Sequence, residues 1–428
     1  MVNDDSAAAA SYYEKSVTRP ARALPLQGSI RTDVCVVGAG IAGLSTALHL
    51  AARGYRVVVL EQHCVGWGAS GRNGGQVLAG VASSQSKLRQ LVGSADAARI
   101  WQISVDGVAL TQELIQRHHI ACDWVSGHIS VAIKPRQVAE LRATQAELAE
   151  LGATATRWLE AEELRSLLPS PRYRAGLLDF DTGHLHPLRY TLGLAQAAQR
   201  AGVSFYEQTR ALDYIAEARG VRVRTSAGAV QCAHLMLAGN AWLGRTAPEL
   251  ARKIMGIGTH IVATEVLGEE RASALIRNNA AVYDLNWVVD YFRRSADHRL
   301  LFGGRVSYSG VTLADLTRAT RDRMLGVFPQ LADTRIEYSW GGLVDITMNR
   351  APHFGRLAPN VWFLQGFSGH GVALATIAGQ CLAEAVAASS ERFDVFSRIP
   401  HRDFPGGPAL RRPALALAML WYRLRDLL

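Results

Sequence analysis

Three observations predict an α/β fold. A short apolar run at 33–37 leads through a glycine turn into an alanine- and leucine-rich helical pattern, and then into a second apolar run at 55–60. Another strand, glycine-rich turn and apolar helix follow at 361–387. Between these units lie short strand-like runs separated by turns, the pattern of an antiparallel sheet. The two outer units therefore belong to one layered domain, and the strands between them to an α+β domain inserted into it. At 428 residues the chain is long enough for both.

The first unit reads G-A-G-I-A-G over Gly38, Ala39, Gly40, Ile41, Ala42 and Gly43, and Glu61 closes the second run eighteen residues beyond Gly43. This arrangement binds an adenine dinucleotide. Gly38 permits the tight turn, Gly40 lets a pyrophosphate reach backbone N–H groups, and Gly43 lets the helix pack closely on the sheet. The helix N-terminus faces the phosphates. Glu61, followed by Gln62, accepts ribose hydroxyls and repels a 2′-phosphate, which disfavours NADP. The continuation favours FAD over NAD. In place of another crossover helix the chain runs G-W-G-A-S-G-R-N-G-G-Q from Gly66. Backbone so bare suits close approach to an isoalloxazine, its ribityl chain and pyrophosphate, and marks Gly68, Ala69, Ser70, Arg72, Asn73, Gly74, Gly75 and Gln76 as contacts.

With these motifs the chain resembles the FAD-dependent amine and amino-acid oxidoreductases of the D-amino-acid oxidase, glycine oxidase and sarcosine oxidase superfamily. Three later stretches, Y-D-L-N-W-V-V-D-Y-F-R-R from Tyr283, W-G-G-L-V-D-I-T-M-N-R-A-P from Trp340 and F-L-Q-G-F-S-G-H-G from Phe363, are most similar to its gamma-glutamylputrescine oxidoreductases. The resemblance implies an FAD-binding Rossmann-like three-layer domain of the glutathione-reductase type, with an inserted α+β substrate domain built on an antiparallel sheet. It implies oxidation of a small-molecule amine, with dioxygen or another electron acceptor. FAD is expected to be noncovalent: sarcosine oxidases use a cysteine just before the last glycine-rich stretch, and here none lies between Cys232 and Cys381. The superfamily form D-x-G-x-[LV]-x-P recurs at Asp181, Gly183, Leu185 and Pro187, at the border of flavin and substrate sites. Thr209 and Gly239 are implied as further cofactor contacts.

Composition narrows the partners. The formal charge is +9, yet the arginines are spread along the chain and no zinc finger or RNA-binding signature accompanies them, which excludes nucleic acid. The positive potential would instead steer anionic substrates. Five cysteines show no paired or metal-ligand spacing and read as buried thiols, giving a cytoplasmic expectation. Residues 1–10 lack a basic n-region and are not a secretory signal.

In chain order, residues 1–29 form an arm whose Tyr12 and Tyr13 pack on the domain, and 30–85 form the first part of the FAD-binding domain. Residues 86–174 begin the substrate domain: helical periodicity over 86–117 supplies two helices, 124–133 reads as strands around a Gly127 turn, and 138–151 as another helix. The FAD-binding domain resumes over 175–250, with a helix at 188–200, a strand at 203–208, a hairpin over 221–233 and a strand at 234–238. The substrate domain returns over 251–338, with strands at 259–265, 287–292, 300–303 and 334–340 and a helix at 312–328. Gly341 and Gly342 end its last strand, and the FAD-binding domain closes over 339–400.

At most one of His184 and His186 is expected to face the site, and either reads as a structural histidine. No third ligand stands at useful spacing, so no metal site is expected. His260, Trp287, Tyr291, Arg305 and Trp340 are the substrate candidates: aromatic rings wall an uncharged methylene chain, and Arg305 offers a bidentate carboxylate contact. Gly369, His370 and Gly371 precede a helix whose N-terminus places positive potential where negative charge develops on flavin reduction, with the His370 backbone at the pyrimidine edge. Residues 401–428 end in an amphipathic helix. It docks on its own protein, on a partner subunit, or peripherally on the inner face of the membrane. Oxidative deamination of gamma-glutamylputrescine leads the functional readings. Oxidation of sarcosine, a D-amino acid or an opine, and a non-enzymatic flavoprotein subunit, are the alternatives.

Overall fold

The computed structural model describes residues 11–217, 220–307 and 313–405, apart from the side chains of 305–307 and 313. Two sheets organise it. The first has eight strands, with the order His353–Ala358, Val361–Gln365, Gly228–Leu237, Gly28–Val37, Val57–Leu60, Ser204–Tyr206, and the hairpin Asp213–Glu217 and Gly220–Arg224 attached to Gly228–Leu237. Its four central pairings are parallel. Alternation along Gly28–Val37 explains its layers. Val34 and Val36 enter a core shared with the helices Ile41–Ala51, Pro187–Arg200 and Gly371–Val386, while Cys35 enters a second core with Val221 and Val223 of the hairpin.

The second sheet has nine strands, in the order Ile336–Ile346, Met255–Thr264, Leu300–Ser307, Tyr291–Arg294, Ala281–Asp284, Val125–Ala132, Ala175–His184, Gln76–Val77, with Thr156–Leu159 on Ala175–His184. It is antiparallel except where Ala281–Asp284 meets Val125–Ala132. One face carries Ile129, Val131, Val262, Val282, Phe292 and Phe302 into a core closed by Val327 and Phe328. Residues one step away, Ile261, Leu301 and Trp340, enter the core of the first domain instead. The sheet therefore stands with one face toward the dinucleotide motif.

Several boundaries differ from the sequence reading. Ala175–His184 and Ile336–Ile346 join the second sheet, although 175 onward and 339 onward are expected in the FAD-binding domain. Gly341 and Gly342 do not end their strand, because the ladder to Met255–Thr264 continues through them to Ile346. Gly127, with φ 106°, makes a bulge within one strand rather than a turn between two. The 287–292 run begins pairing only at Tyr291. The two helices expected over 86–117 run end to end as Gln85–Arg117, with Gly93 non-helical at the junction. All five cysteines are free and buried. Tyr13 is fully buried, its hydroxyl accepting from Arg293 at 3.0 Å. Among the described residues no single helix is long and apolar enough to cross a membrane. The C-terminal helix expected over 401–428 lies, from 406 on, outside the described residues.

Candidate active site

A cleft opens where Gly28–Val37, Val57–Leu60 and Gly228–Leu237 end. Gly38, Ala39, Gly40, Glu61, Gln62, Gly68, Ala69, Ser70, Thr209 and Gly239 line it, bringing together separate stretches singled out in the sequence. Its glycines have distinct tasks. Gly38 leaves the strand at φ 109°, and a Cβ on Gly43 would lie 2.0 Å from the Gly38 carbonyl oxygen, so only a bare Cα lets the helix seat there. A Cβ on Gly40 would lie 2.8 Å from Ser70 Oγ, the atom that accepts the Ile41 N–H at 2.9 Å. The neighbouring Ala42 and Gly43 complete the first helical turn, whose N–H groups have no intrahelical partner and suit a pyrophosphate.

The Glu61 carboxylate accepts the Ala39 N–H at 2.8 Å on one oxygen and the His63 N–H at 2.9 Å on the other. The Gln62 N–H also acts on this carboxylate, whose remaining acceptor capacity suits a ribose hydroxyl. Burial raises its pKa, against the pull of those N–H groups. Beside it the His63 and Trp67 rings stack at 3.8 Å, Trp242 meets Trp67 edge-on, and the Arg72 guanidinium lies 4.4 Å over Trp67. The bare helix entry and the buried acid together fit an adenine dinucleotide.

The rest of the glycine-rich loop serves the contact between domains. Asn73 holds the loop itself, accepting the Gly75 N–H at 2.8 Å and donating to Ala69 and Ser70 carbonyls at 3.0 Å. Gln76 donates to the Val282 carbonyl at 3.1 Å. A Cβ on Gly74 would strike the Tyr291 ring at 2.8 Å, and one on Gly75 the Leu185 carbonyl at 2.1 Å.

Of the substrate candidates, His260 and Trp340 are corrected. His260 shares the face of Val262, under the helix Leu313–Val327; its ring nitrogens meet Thr320 at 3.0 Å and Ser339 at 2.9 Å. Trp340 is fully buried, donates to the Arg72 carbonyl at 3.0 Å and packs edge-on to Tyr13, so it locks the arm to the loop and walls no cavity. Tyr291 is wedged between Gly74 and Gly303. Trp287, 51% exposed, sits in the turn before Tyr291–Arg294. Arg305 pairs with His260 through its backbone, and its side chain lies outside the described residues.

The sheet face turned to the first domain holds groups the sequence reading missed. His128 alternates with Ile129 and stacks on Tyr283 at 4.6 Å; Tyr283 pairs across the ladder with Tyr291. Opposite stands His370 at the start of Gly371–Val386, after the exposed Gly369 (φ 96°). The His370 N–H donates to the Phe367 carbonyl at 3.0 Å, within the turn that opens the helix. Burial lowers the pKa of His128 to about 3 and that of His370 to about 4, so both rings are neutral at pH 7. His184 Nε2 meets the Asn279 carbonyl at 2.8 Å, and His186 caps Pro187–Arg200 by accepting the Arg189 N–H while its other nitrogen meets Ser16. Asp345, fully buried, accepts the Gly366 N–H and joins the Asn240 amide, linking the strand Ile336–Ile346 to two turns beside the cleft. A lone histidine or aspartate in an apolar strand carries no spacing signal. The alternation of His128 with Ile129 and Val131 was the available hint.

A family model for FAD dependent oxidoreductases (DAO) matches residues 33–385. The chain is 40% identical over 417 residues to gamma-glutamylputrescine oxidoreductase of Escherichia coli (strain K12), covering 97% of this chain and 98% of that one. It is 37% identical over 421 residues to the probable oxidoreductase OrdL of Haemophilus influenzae, covering 97% of each. Glycine oxidase from Bacillus cereus shares the fold with a TM-score of 0.71 at 21% identity, over 87% of this chain and 99% of that one. L-proline dehydrogenase from P. horikoshii does so with 0.71 at 19%, over 87% and 96%. Since the match spans both sheets and includes the glycine cradle with its buried acid, the chain belongs to the FAD dependent oxidoreductase (DAO) family and is an oxidoreductase that binds FAD.

Proposed function

We propose that this chain oxidises the terminal primary amine of gamma-glutamylputrescine. The imine formed hydrolyses to gamma-glutamyl-aminobutyraldehyde and ammonia, and dioxygen is reduced to hydrogen peroxide. The observation that carries the reading is end-to-end similarity, 40% identity over 97% of the chain, to an enzyme named for that substrate. The site supports it with a half-buried wall of Tyr283 and Tyr291 and the neutral imidazoles of His128 and His370, which suit an uncharged amine on a methylene chain. Bound FAD supplies the hydride acceptor. The residues around it hold the cofactor through Glu61 and the helix entry, exclude water and set the reacting carbon in line, where alignment can contribute several kcal/mol (roughly 7–11 at best). A γ-glutamyl amide at the far end distinguishes the two nitrogens, and contacts to it serve alignment of the distant carbon.

Product analysis tests this. Air-saturated enzyme with gamma-glutamylputrescine should release aldehyde, ammonia and peroxide in equal amounts, and acid precipitation should leave all the flavin in solution. No aldehyde from this amine would reject the substrate. Reduced enzyme that persists in air yet is rapidly reoxidised by a quinone would replace the oxidase reading with a dehydrogenase.

A further inference from the structure

We propose that His128 holds the reacting amine of the substrate, accepting a hydrogen bond from its N–H on the sheet face opposite His370. The inference rests on the amine-oxidising reading above and assigns a residue to it. His128 lies on Val125–Ala132, where Ile129 and Val131 point into the second core, so its ring points the other way, toward the first domain. The ring is set by its stack on Tyr283, and the hydroxyl of Tyr283 is itself tied to Ser130. His128 is 3% exposed, and its Nε2 has no hydrogen-bond partner among the described residues. His370 Nδ1, within electrostatic reach of His128, is likewise without one among the described residues.

A buried ring nitrogen left unpaired is costly, and such an atom calls for a partner that the folded chain itself does not supply. The partner's chemistry follows from the surroundings. The ionisable groups near enough to act on His128 are His370 and His184, and the one acting on His370 is Arg350, so among the described residues the surroundings hold no carboxylate partner for a cation. That environment rejects an alkylammonium and accepts the free base. An imidazole held neutral so far below pH 7 does not take the amine's proton. It offers a lone pair to an amine that has already lost it, and so fixes the nitrogen while its carbon faces the flavin. His184, whose Nδ1 is also unpaired, is less suited: its Nε2 is held by the Asn279 carbonyl, and the Arg293 and Arg294 charges act on it.

The test uses the holoenzyme and its variants His128→Gln and His128→Leu. Anaerobic flavin bleaching by gamma-glutamylputrescine gives Kd and the limiting rate, with concentrations expressed as free base; flavin content and unfolding midpoint serve as controls. His128→Leu should weaken Kd at least about tenfold with flavin retained, and His128→Gln, whose amide oxygen still accepts, should recover most of it. Wild-type Kd and rate in His128→Leu would overturn the proposal. Should His128→Leu lose flavin, wild type decides: an N,N-dimethylated amine, whose free base has no N–H, should compete at least about tenfold more weakly than its N-monomethyl counterpart, and equal competition would overturn the proposal. If wild type is reduced by sarcosine or a D-amino acid and not by the primary amine, the substrate reading falls; the same variants on that amine then decide the role of His128 separately.

Discussion

Among single residues, Asp345 shows what burial does at the cleft. Burial raises its pKa to about 6 from 3.8, even though the Gly366 N–H and the Asn240 amide favour the charged form. Between those values the native protein keeps a proton that the unfolded chain has lost, so stability falls as pH rises through the window, by about 3 kcal/mol for this group. Below pH 4 both states are protonated and its contribution is fully present. The buried histidines, His128 and His370 among them, push the other way over this range, so the urea-unfolding readout is a difference: from pH 4 to pH 7 the unfolding free energy of Asp345→Asn should change in favour of the native state by about that amount relative to wild type, and the same change in both would refute the assignment. Neither Asp345 nor His128 was legible from sequence, because each is a single polar residue whose meaning depends on the strand beside it. Glu61 was legible, because its distance from Gly43 is set by one helix and one strand. His260 and Trp340 misled for the converse reason: their residue types suit a substrate wall, but alternation turned His260 under a helix and burial gave Trp340 to the arm.

At the level of elements, the helix that begins at the cleft, Ile41–Ala51, and the helix Gly371–Val386 touch through backbone. A Cβ on Gly379 would lie 2.5 Å from the Thr46 nitrogen and 2.6 Å from Ser45 Cβ, and Ser45 Oγ donates to the Thr376 carbonyl at 2.5 Å. Gly379→Leu should therefore push the helices apart, costing about 1–3 kcal/mol or more, and loosen both helix entries at once. A lower unfolding midpoint together with reduced flavin content is the expected outcome, and wild-type values of both would contradict it. The helices and most strands could be read from periodicity, and this pairing could not: Gly379 is one small residue in an alanine-rich run, and what it approaches is 333 positions away.

Over the whole molecule, the alternation between two domains was legible as alternation between a glycine-punctuated α/β pattern and short strands, but its borders were not. Ala175–His184 and Ile336–Ile346 look like strands of either sheet, and pairing assigns them to the second. That assignment ties the glycine-rich loop to the second sheet, because Gln76–Val77 at the loop's end adds to Ala175–His184. The proposed substrate is a primary amine carried on a γ-glutamyl group. Anaerobic stopped-flow bleaching of the bound flavin by gamma-glutamylputrescine, free putrescine, sarcosine, glycine and D-amino acids tests it most directly. Gamma-glutamylputrescine should reduce the flavin fastest at equal concentration. Faster reduction by sarcosine, glycine or a D-amino acid would contradict it.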